Sequence, residues 1–165
     1  MYKRQVPVDG VEEADEEGKS RSNRDEAAKV LSVVNDLLAV GDLQPQDIGV
    51  ISPYNGQVRE LVRLFESAGG REPGQPYHGL EIKSVDGYQG REKEVIVFST
   101  VRANERGEVG FLADYRRLNV AITRAKRGLI LLGHPTTLRH DGTWKSYLDW
   151  IDEHQLFAWH VTHSS

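Results

Sequence analysis

The segment best suited to chemistry is a basic run over residues 116–127, which holds five cations and no acid. Those cations are Arg116, Arg117, Arg124, Lys126 and Arg127. Apolar residues within the run recur at the spacing of one helix face, which predicts a helix from about Asp114 through the whole run. Guanidinium is permanently charged and planar, and its fork of donors matches phosphate oxygens. Such a helix suits either a phosphate partner or an ordinary solvated face.

Composition bounds the class of protein. The chain has 165 residues, 38% of them hydrophobic and 28% charged, which is typical of one soluble globular domain. No apolar run approaches the ~20 residues of a membrane span, and no signal peptide is evident. Cysteine is absent, which excludes disulfides and thiolate metal sites. The six histidines lack ligand spacing. We therefore expect a cytoplasmic protein with no membrane association and no metal site of its own.

The distribution of charge is more informative than its total. The net charge is −4, yet residues 81–127 hold ten Lys and Arg against seven acids, a local balance of +3. A basic face on an acidic protein suits a phosphate-bearing partner. An ordinary surface of mixed charge explains the same numbers.

Alternating patterns predict the elements that must position these residues. We expect strands at 6–11, 48–52, 81–84, 94–100 and 129–132. Helices are expected from Ser22, capped with Asp25 and ended by Gly41, then after residue 54, from 114 and from about 143. Residues 1–22 are interpreted as a short strand plus an acidic flexible lead-in, with no role for residues 1–5. The domain would then span 23–157, with 158–165 as a tail. The alternation predicts an α/β fold with a mainly parallel sheet, whose ligands sit at the carboxyl ends of the strands.

Gly18-Lys19-Ser20 imitates the end of a phosphate-binding loop. The position that needs the first glycine is Glu13, and acids surround it where backbone amides should receive phosphate. We interpret this segment as a flexible loop.

Three segments resemble motifs of superfamily 1 helicases. Residues 48–57 (IGVISPYNGQ) resemble motif IV, residues 82–104 (IKSVDGYQGREKEVIVFSTVRAN) motif V, and residues 114–127 (DYRRLNVAITRAKR) motif VI. Their order and spacing resemble the second RecA-like domain of the branch with the nonsense-mediated-decay and immunoglobulin-mu-binding helicases. The resemblance covers nearly the whole chain and implies a three-layer RecA-like fold of the P-loop NTPase type.

The resemblance implies a nucleotide site. Arg124 is similar to an arginine finger that reaches the γ-phosphate of ATP, while Gly90 and Glu92 would face the nucleotide. Arg117, with Arg116, would orient that site or pair with acids such as Asp86 or Glu92. A surface turn with a solvated Glu92, and a solvated helix face for the cations other than Arg124, are the alternatives.

The resemblance also implies contacts with a single nucleic-acid strand, RNA or DNA. Tyr54 has two interpretations, stacking on a base or packing in the core with its hydroxyl at the edge. The residues implied to contact the strand are Ser52, Pro53, Tyr54, Gln57, Ser84, Val85, Asp86, Arg102 and Asn104.

We expect this chain to act as the C-terminal motor domain of an ATP-dependent 5′-to-3′ helicase. Its sequence contains neither a valid phosphate loop nor an apolar strand ending in Asp-Glu. ATP and Mg²⁺ would therefore be held mainly by an N-terminal RecA-like domain of the same parent protein, and the isolated chain would be inactive. A nucleic-acid- or protein-binding module that lost its motor, and an unrelated α/β enzyme, are the alternatives.

Overall fold

A five-stranded parallel sheet forms the centre of the protein in a computed structural model that describes residues 2–88 and 92–153. In chain order the elements are β1 (Tyr2–Pro7), β2 (Glu13–Ala14), β3 (Arg21–Ser22), α1 (Arg24–Ala39), β4 (Ile48–Ser52), α2 (Asn55–Ser67), β5 (Glu81–Ser84), β6 (Lys93–Ser99), α3 (Tyr115–Arg124), β7 (Ala125–Gly133), α4 (Pro135–Leu138) and α5 (Gly142–Glu153). Short 3-10 turns occur at Pro45–Asp47 and Gly110–Ala113. The strands of the sheet lie in the order β1-β7-β6-β4-β5.

Alternating side chains of the central strands divide the core into two layers. Val95 and Val97 of β6 pack against α1 and α2, whereas Ile96 and Phe98 pack against α3 and α5. Both faces of the sheet are covered, as parallel sheets require. The predicted three-layer RecA-like α/β fold is confirmed.

The cap of helix α1 lies one residue later than predicted. Asn23, not Ser22, caps the helix, and its side chain accepts a hydrogen bond from the backbone N–H of Glu26 at 3.0 Å. The helix ends before Gly41, as predicted, and the Gly41 N–H donates to the Leu38 carbonyl.

Helix α3 is shorter than predicted, because it ends at Arg124 and β7 begins at the next residue. Ala125 is the register partner of Lys93 on the neighbouring parallel strand, so sheet pairing replaces helix at this point. Lys126 and Arg127 therefore lie on a strand, and the prediction of one helix through the whole basic run is wrong for residues 125–127.

The first residues of the chain belong to the sheet. β1 spans Tyr2–Pro7 rather than residues 6–11, and it pairs in parallel with β7. Giving residues 2–5 no structural role was therefore wrong. The acidic segment that follows contributes β2 and β3, a two-stranded antiparallel hairpin. Gly18 and Lys19 lie in its turn, where the Lys19 N–H donates to the Asp15 carboxylate, so this segment is a hairpin turn and not a phosphate loop.

The connection from β5 to β6 crosses one face of the sheet. Its described residues, 85–88 and 92, form no helix. Tyr88 of this connection is buried in the layer that holds α3. Gly49 of β4 accommodates it, because a Cβ at that position would lie 3.1 Å from the Tyr88 hydroxyl.

The two core layers predict a contrast between two phenylalanines. Phe65 of α2 is fully buried and meets Tyr77 edge to face at 4.9 Å, so Phe65→Ala should lower the free energy of unfolding by about 3–5 kcal/mol. Phe111 is 51% exposed, so Phe111→Ala should cost less than about 1 kcal/mol. Urea unfolding measures both, and equal losses would contradict this division of core and surface.

Candidate functional site

The amino edge of the sheet brings together the two residues predicted to be catalytic. Glu92 immediately precedes Lys93 of β6, and Arg124 immediately precedes Ala125 of β7. Lys93 and Ala125 are register partners on adjacent parallel strands. The fold therefore places Glu92 and Arg124 side by side at the start of these strands. Gly90 lies outside the described residues.

Arg124 differs from the neighbouring arginines in having no protein partner in the described part of the chain. Arg116 pairs with Asp114 at 2.8 Å, and Arg127 pairs with Glu94 at 2.6 Å. Arg124 is partly exposed, and its Nε is buried without a hydrogen bond to any described residue. A guanidinium held in this way is suited to an external anion.

Arg117 does not join this pair, although it was predicted to bind nucleotide. It lies seven residues before Arg124 on the same helix, which is about 10 Å along the axis. Its guanidinium donates to Asp86 at 3.3 Å and to the Phe111 carbonyl at 3.0 Å. The predicted pairing of Arg117 with Asp86 is confirmed, and this contact ties the turn after β5 to the turn before α3.

Asp114 stabilises the start of α3. Its side chain accepts from the backbone N–H of Arg116 at 3.1 Å and caps the helix. Hydrogen bonds from the Arg116 side chain lower the pKa of Asp114 to about 2. The predicted solvated face is found for Arg116, whose side chain is mostly exposed.

The carboxyl edge is built around a strained residue at the end of β6. Val101 has φ of +72°, and the Arg102 N–H donates to the Thr100 carbonyl at 2.8 Å, which makes a γ-turn of the rare positive-φ type. A β-branched residue avoids this conformation, and such strain persists only where neighbours hold it in place.

Glu26 and Asn23 of the α1 terminus hold that turn. One carboxylate oxygen of Glu26 accepts from the Val101 N–H at 2.8 Å and from the Ser99 hydroxyl at 2.7 Å. The Asn23 amide donates to the Val101 carbonyl at 3.1 Å. Glu26 is fully buried, and burial raises its pKa to about 7.

Gln57 extends the same network to α2. Its amide exchanges two hydrogen bonds with the Asn23 backbone and donates to the Ser99 hydroxyl at 3.0 Å. Since Gln57 has no exposed surface, it is not accessible to a strand in this structure. Ser52 and Pro53 are also buried. Gln57 thus links the start of α2 to the cap of α1 and to the end of β6.

Arg102 and Tyr54 are also buried at the carboxyl edge. The Arg102 Nε pairs with Glu12 at 2.9 Å, and its Nη1 donates to the Tyr54 hydroxyl at 3.1 Å. The Tyr54 hydroxyl in turn donates to the Val109 carbonyl at 3.2 Å. Of the two interpretations of Tyr54, the structure agrees with core packing with the hydroxyl hydrogen-bonded at the edge.

The other residues predicted to contact the nucleic-acid strand make hydrogen bonds or ion pairs within the loops, or are buried. Asn104 donates to Glu12 and exchanges two hydrogen bonds with the Glu108 backbone. The Ser84 hydroxyl accepts from the Gly87 N–H at 3.0 Å, and Val85 is buried. Asp86 is exposed but paired with Arg117. Strand binding by these residues stays a prediction, and the structure shows that most of their polar groups are already used.

Sequence reasoning missed several residues at this edge. Glu12 and Glu26 were assigned to an acidic loop and a helix terminus, although several of their partners lie 73 to 92 residues away. No local pattern signals such contacts. Phe111 had a signal, a large aromatic in a predicted loop, and it is exposed beside Tyr54 with ring centroids 5.4 Å apart.

Comparison with known proteins identifies the family of the chain. The model of a family described as AAA domain matches residues 4–136. The chain belongs to this family. Regulator of nonsense transcripts 1 homolog of Drosophila melanogaster is 43% identical over 149 residues, which are 90% of this chain and 12% of that protein. ATP-dependent helicase NAM7 of Saccharomyces cerevisiae is 42% identical over 139 residues, 84% of this chain and 14% of that protein.

An uncharacterized ATP-dependent helicase of Methanocaldococcus jannaschii is 43% identical over 145 residues, 88% of this chain and 20% of that protein. The chain therefore spans only a small part of the length of the relatives it matches. The predicted resemblance is confirmed, and the chain is a helicase domain of the superfamily 1, nonsense-decay type.

Within residues 2–88 and 92–153 of this helicase domain, no cluster of three or more His, Asp or Glu side chains could hold a metal ion. In the same part of the chain, every helix is too short or too polar to span a bilayer.

The raised pKa of Glu26 predicts a pH dependence of the stability of this helicase domain. The ordinary pKa of 4.5 rises to about 7 on folding, so the folded chain binds a proton that the unfolded chain releases between these values. Stability should therefore fall as pH rises through this window and level off above it. Glu26→Gln keeps an acceptor oxygen but cannot ionise, so its unfolding free energy, measured by urea titration, should lack this decline. Glu105→Gln, at an exposed loop acid, should keep the wild-type profile. An unchanged profile in Glu26→Gln would contradict the assignment.

Proposed function

We propose that this chain is the C-terminal motor domain of an ATP-dependent nucleic-acid helicase, in which Arg124 contacts the γ-phosphate of ATP bound mainly by an N-terminal RecA-like domain. The observation that carries the proposal is the position of Arg124. It is the arginine of α3 without a partner among the described residues, and it lies next to Glu92 at one edge of the sheet.

The residues at this edge fit a phosphate group. ATP with Mg²⁺ would supply the transferable phosphoryl group and a cation that neutralises its charge. Arg124 offers a permanent positive charge and free donors, which stabilise charge that develops on phosphoryl oxygens. Glu92 is exposed and has acceptor oxygens for a ribose hydroxyl or a water molecule. Mg²⁺ would be held by the other domain, since the described residues contain no acidic cluster for it.

Single-stranded RNA or DNA is the proposed substrate, with 5′-to-3′ translocation as the family resemblance implies. The relatives include proteins named ATP-dependent helicases and regulators of nonsense transcripts, which supports a nucleic-acid partner. The strand would lie along the carboxyl edge. Since β6 has seven residues at about 3.3 Å each, the strand site and Arg124 would lie about 20 Å apart.

Replacing Arg124 tests the proposal in the full-length parent protein. Arg124→Ala should lower the nucleic-acid-stimulated kcat for ATP by at least about a hundredfold, because transition-state charge loses its cation. Lys126→Ala is the matched control, since Lys126 is an exposed cation two residues away on β7. ATPase assays with RNA, with single-stranded DNA and with neither would also identify the strand.

A stimulated turnover within about threefold of wild type for Arg124→Ala would reject the arginine-finger role. Equal losses in Arg124→Ala and Lys126→Ala would indicate a general effect of charge at this edge.

A second prediction concerns the 165-residue chain alone. It should hydrolyse ATP at no measurable rate, because it contributes a cation to the γ-phosphate but no loop that holds the phosphates. A coupled phosphate-release assay on the purified chain measures this. Robust turnover that Arg124→Ala abolishes would show that the chain holds a complete site.

A further inference from the structure

A cleft with four arginine side chains lies between the β2–β3 hairpin and the first turns of α1 and α2. Its lining includes Arg21 of the hairpin, Arg24 of α1, and Arg59 and Arg63 of α2. The cleft volume of about 270 Å³ lies just below the roughly 300–1,000 Å³ of a small-molecule site. The cleft therefore has room for one charged group and the atoms that carry it.

The hairpin wall of the cleft is held closely against α2 at Gly56. The Gly56 N–H donates to the Ser20 hydroxyl at 2.8 Å, and a Cβ at Gly56 would lie 2.7 Å from the Arg21 carbonyl oxygen. Glycine is required for so close an approach of two backbones. The cleft is thus built into the packing of the hairpin on the helix.

Two of the four arginines already have carboxylate partners. Arg63 donates two hydrogen bonds to Glu60, at 2.6 Å and 3.2 Å. Arg21 pairs with Glu12 at 3.1 Å, and less than a third of its side chain is exposed. These two guanidinium groups are held in place and contribute positive potential to the cleft.

The other two arginines are available to a ligand. Arg24 only approaches Glu13, at 3.9 Å, and 72% of its side chain is exposed. Such a pair is weak and exchanges readily. Arg59 is exposed and acts on Asp15 through its charge. The Arg59 guanidinium makes no hydrogen bond or ion pair within residues 2–88 and 92–153.

The charge of the lining matches a phosphate dianion. Asp15 and Glu60 are its two acids, so the four arginines leave an excess of two positive charges. A phosphorylated serine or threonine carries about −1.5 to −2 charges at pH 7 and three acceptor oxygens, whereas a carboxylate carries a single charge. Every cation of the lining is arginine rather than lysine, and guanidinium groups bind phosphate oxygens through paired hydrogen bonds.

The lining does not suit a nucleic-acid base. Apart from Ala14 and Gly56, the described residues that line the cleft are polar or charged, and none of them is aromatic. Grooves for single strands combine cations with aromatic rings on which bases stack. A phosphate carried by a peptide therefore fits this cleft better than one carried by a nucleic acid.

We propose that this cleft is a docking site for a phosphorylated serine or threonine side chain of a protein partner, with the phosphate held between Arg24 and Arg59. Arg21 and Arg63 keep their own carboxylates and add to the positive potential. This interaction surface goes beyond the proposed function and does not depend on it.

Retention of phosphopeptides by the immobilised 165-residue chain tests the proposal. The probe is a pool of short peptides with a fixed central phosphoserine and randomised neighbours, and the same pool with a central serine is the reference. The wild-type chain should retain the phosphoserine pool at least about tenfold better, because the phosphate adds charged hydrogen bonds to two guanidinium groups.

Variants of the two available arginines locate the phosphate. Arg59→Gln and Arg24→Gln should each lower the preference for phosphoserine by at least about fivefold, since each removes one cation from the phosphate. Arg106→Gln is the matched control. The Arg106 side chain is 85% exposed and approaches Glu108 at 3.9 Å, as Arg24 approaches Glu13, but it does not line the cleft. Urea unfolding of each variant shows that the fold is retained.

Equal retention of the two peptide pools by the wild-type chain, or an equal loss in Arg106→Gln, would overturn the docking site. Oligothymidylate that displaced the phosphoserine pool and lost binding in Arg59→Gln would assign the cleft to nucleic acid instead. Inorganic phosphate that displaced the pool at the same concentration as the phosphopeptide would reduce the site to one for a free ion. The Arg124 assay on the parent protein decides the proposed function separately from all of these results.

Discussion

The arrangement of the carboxyl edge depends on the hydrogen bonds that hold Val101 in its positive-φ turn. A backbone in this region costs about 1–3 kcal/mol, and the chain offsets it with a buried carboxylate and a capping amide. Glu26 binds the amide and Asn23 the carbonyl of the same residue. Because both belong to the start of α1, the direction of the chain after β6 is set by a helix that lies more than 70 positions earlier. The path of the loop that carries Arg102 therefore depends on these hydrogen bonds to Val101.

Much of the fold could be predicted because each element carries its own pattern. The continuous apolar run of β6 and the apolar stripe of α1 are both buried in the structure, as predicted. Prediction failed where pairing with a distant strand decides the conformation. Residues 125–127 continue a helical pattern, yet Lys93 lies where Ala125 can pair with it. β1 has the same explanation, since its partner β7 is more than 100 residues away.

The candidate site shows a different limit. The family resemblance implied that Arg124 and Glu92 face one nucleotide, and the structure places them directly before Ala125 and Lys93, register partners on adjacent strands. Spacing could not show whether a side chain faces solvent. Gln57 is three residues beyond Tyr54, and both sides of that turn are covered by α1 and by the loop after β6. Gln57 is a hydrogen-bonding residue, as its type suggests. Its partners in the structure, however, are Asn23 and Ser99 of the protein itself.

Helix α3 connects the two edges physically. Its ten residues span about 15 Å at 1.5 Å per residue, with Arg124 at one end and Arg117 near the other. Arg117 contacts Asp86 in the turn after β5 and the ring and backbone carbonyl of Phe111 in the 3-10 turn before α3. These contacts fix the first turn of α3 against the carboxyl edge, while its last residue, Arg124, directly precedes β7 at the amino edge. The position of Arg124 therefore depends on contacts at both edges of the sheet, since one continuous helix joins them.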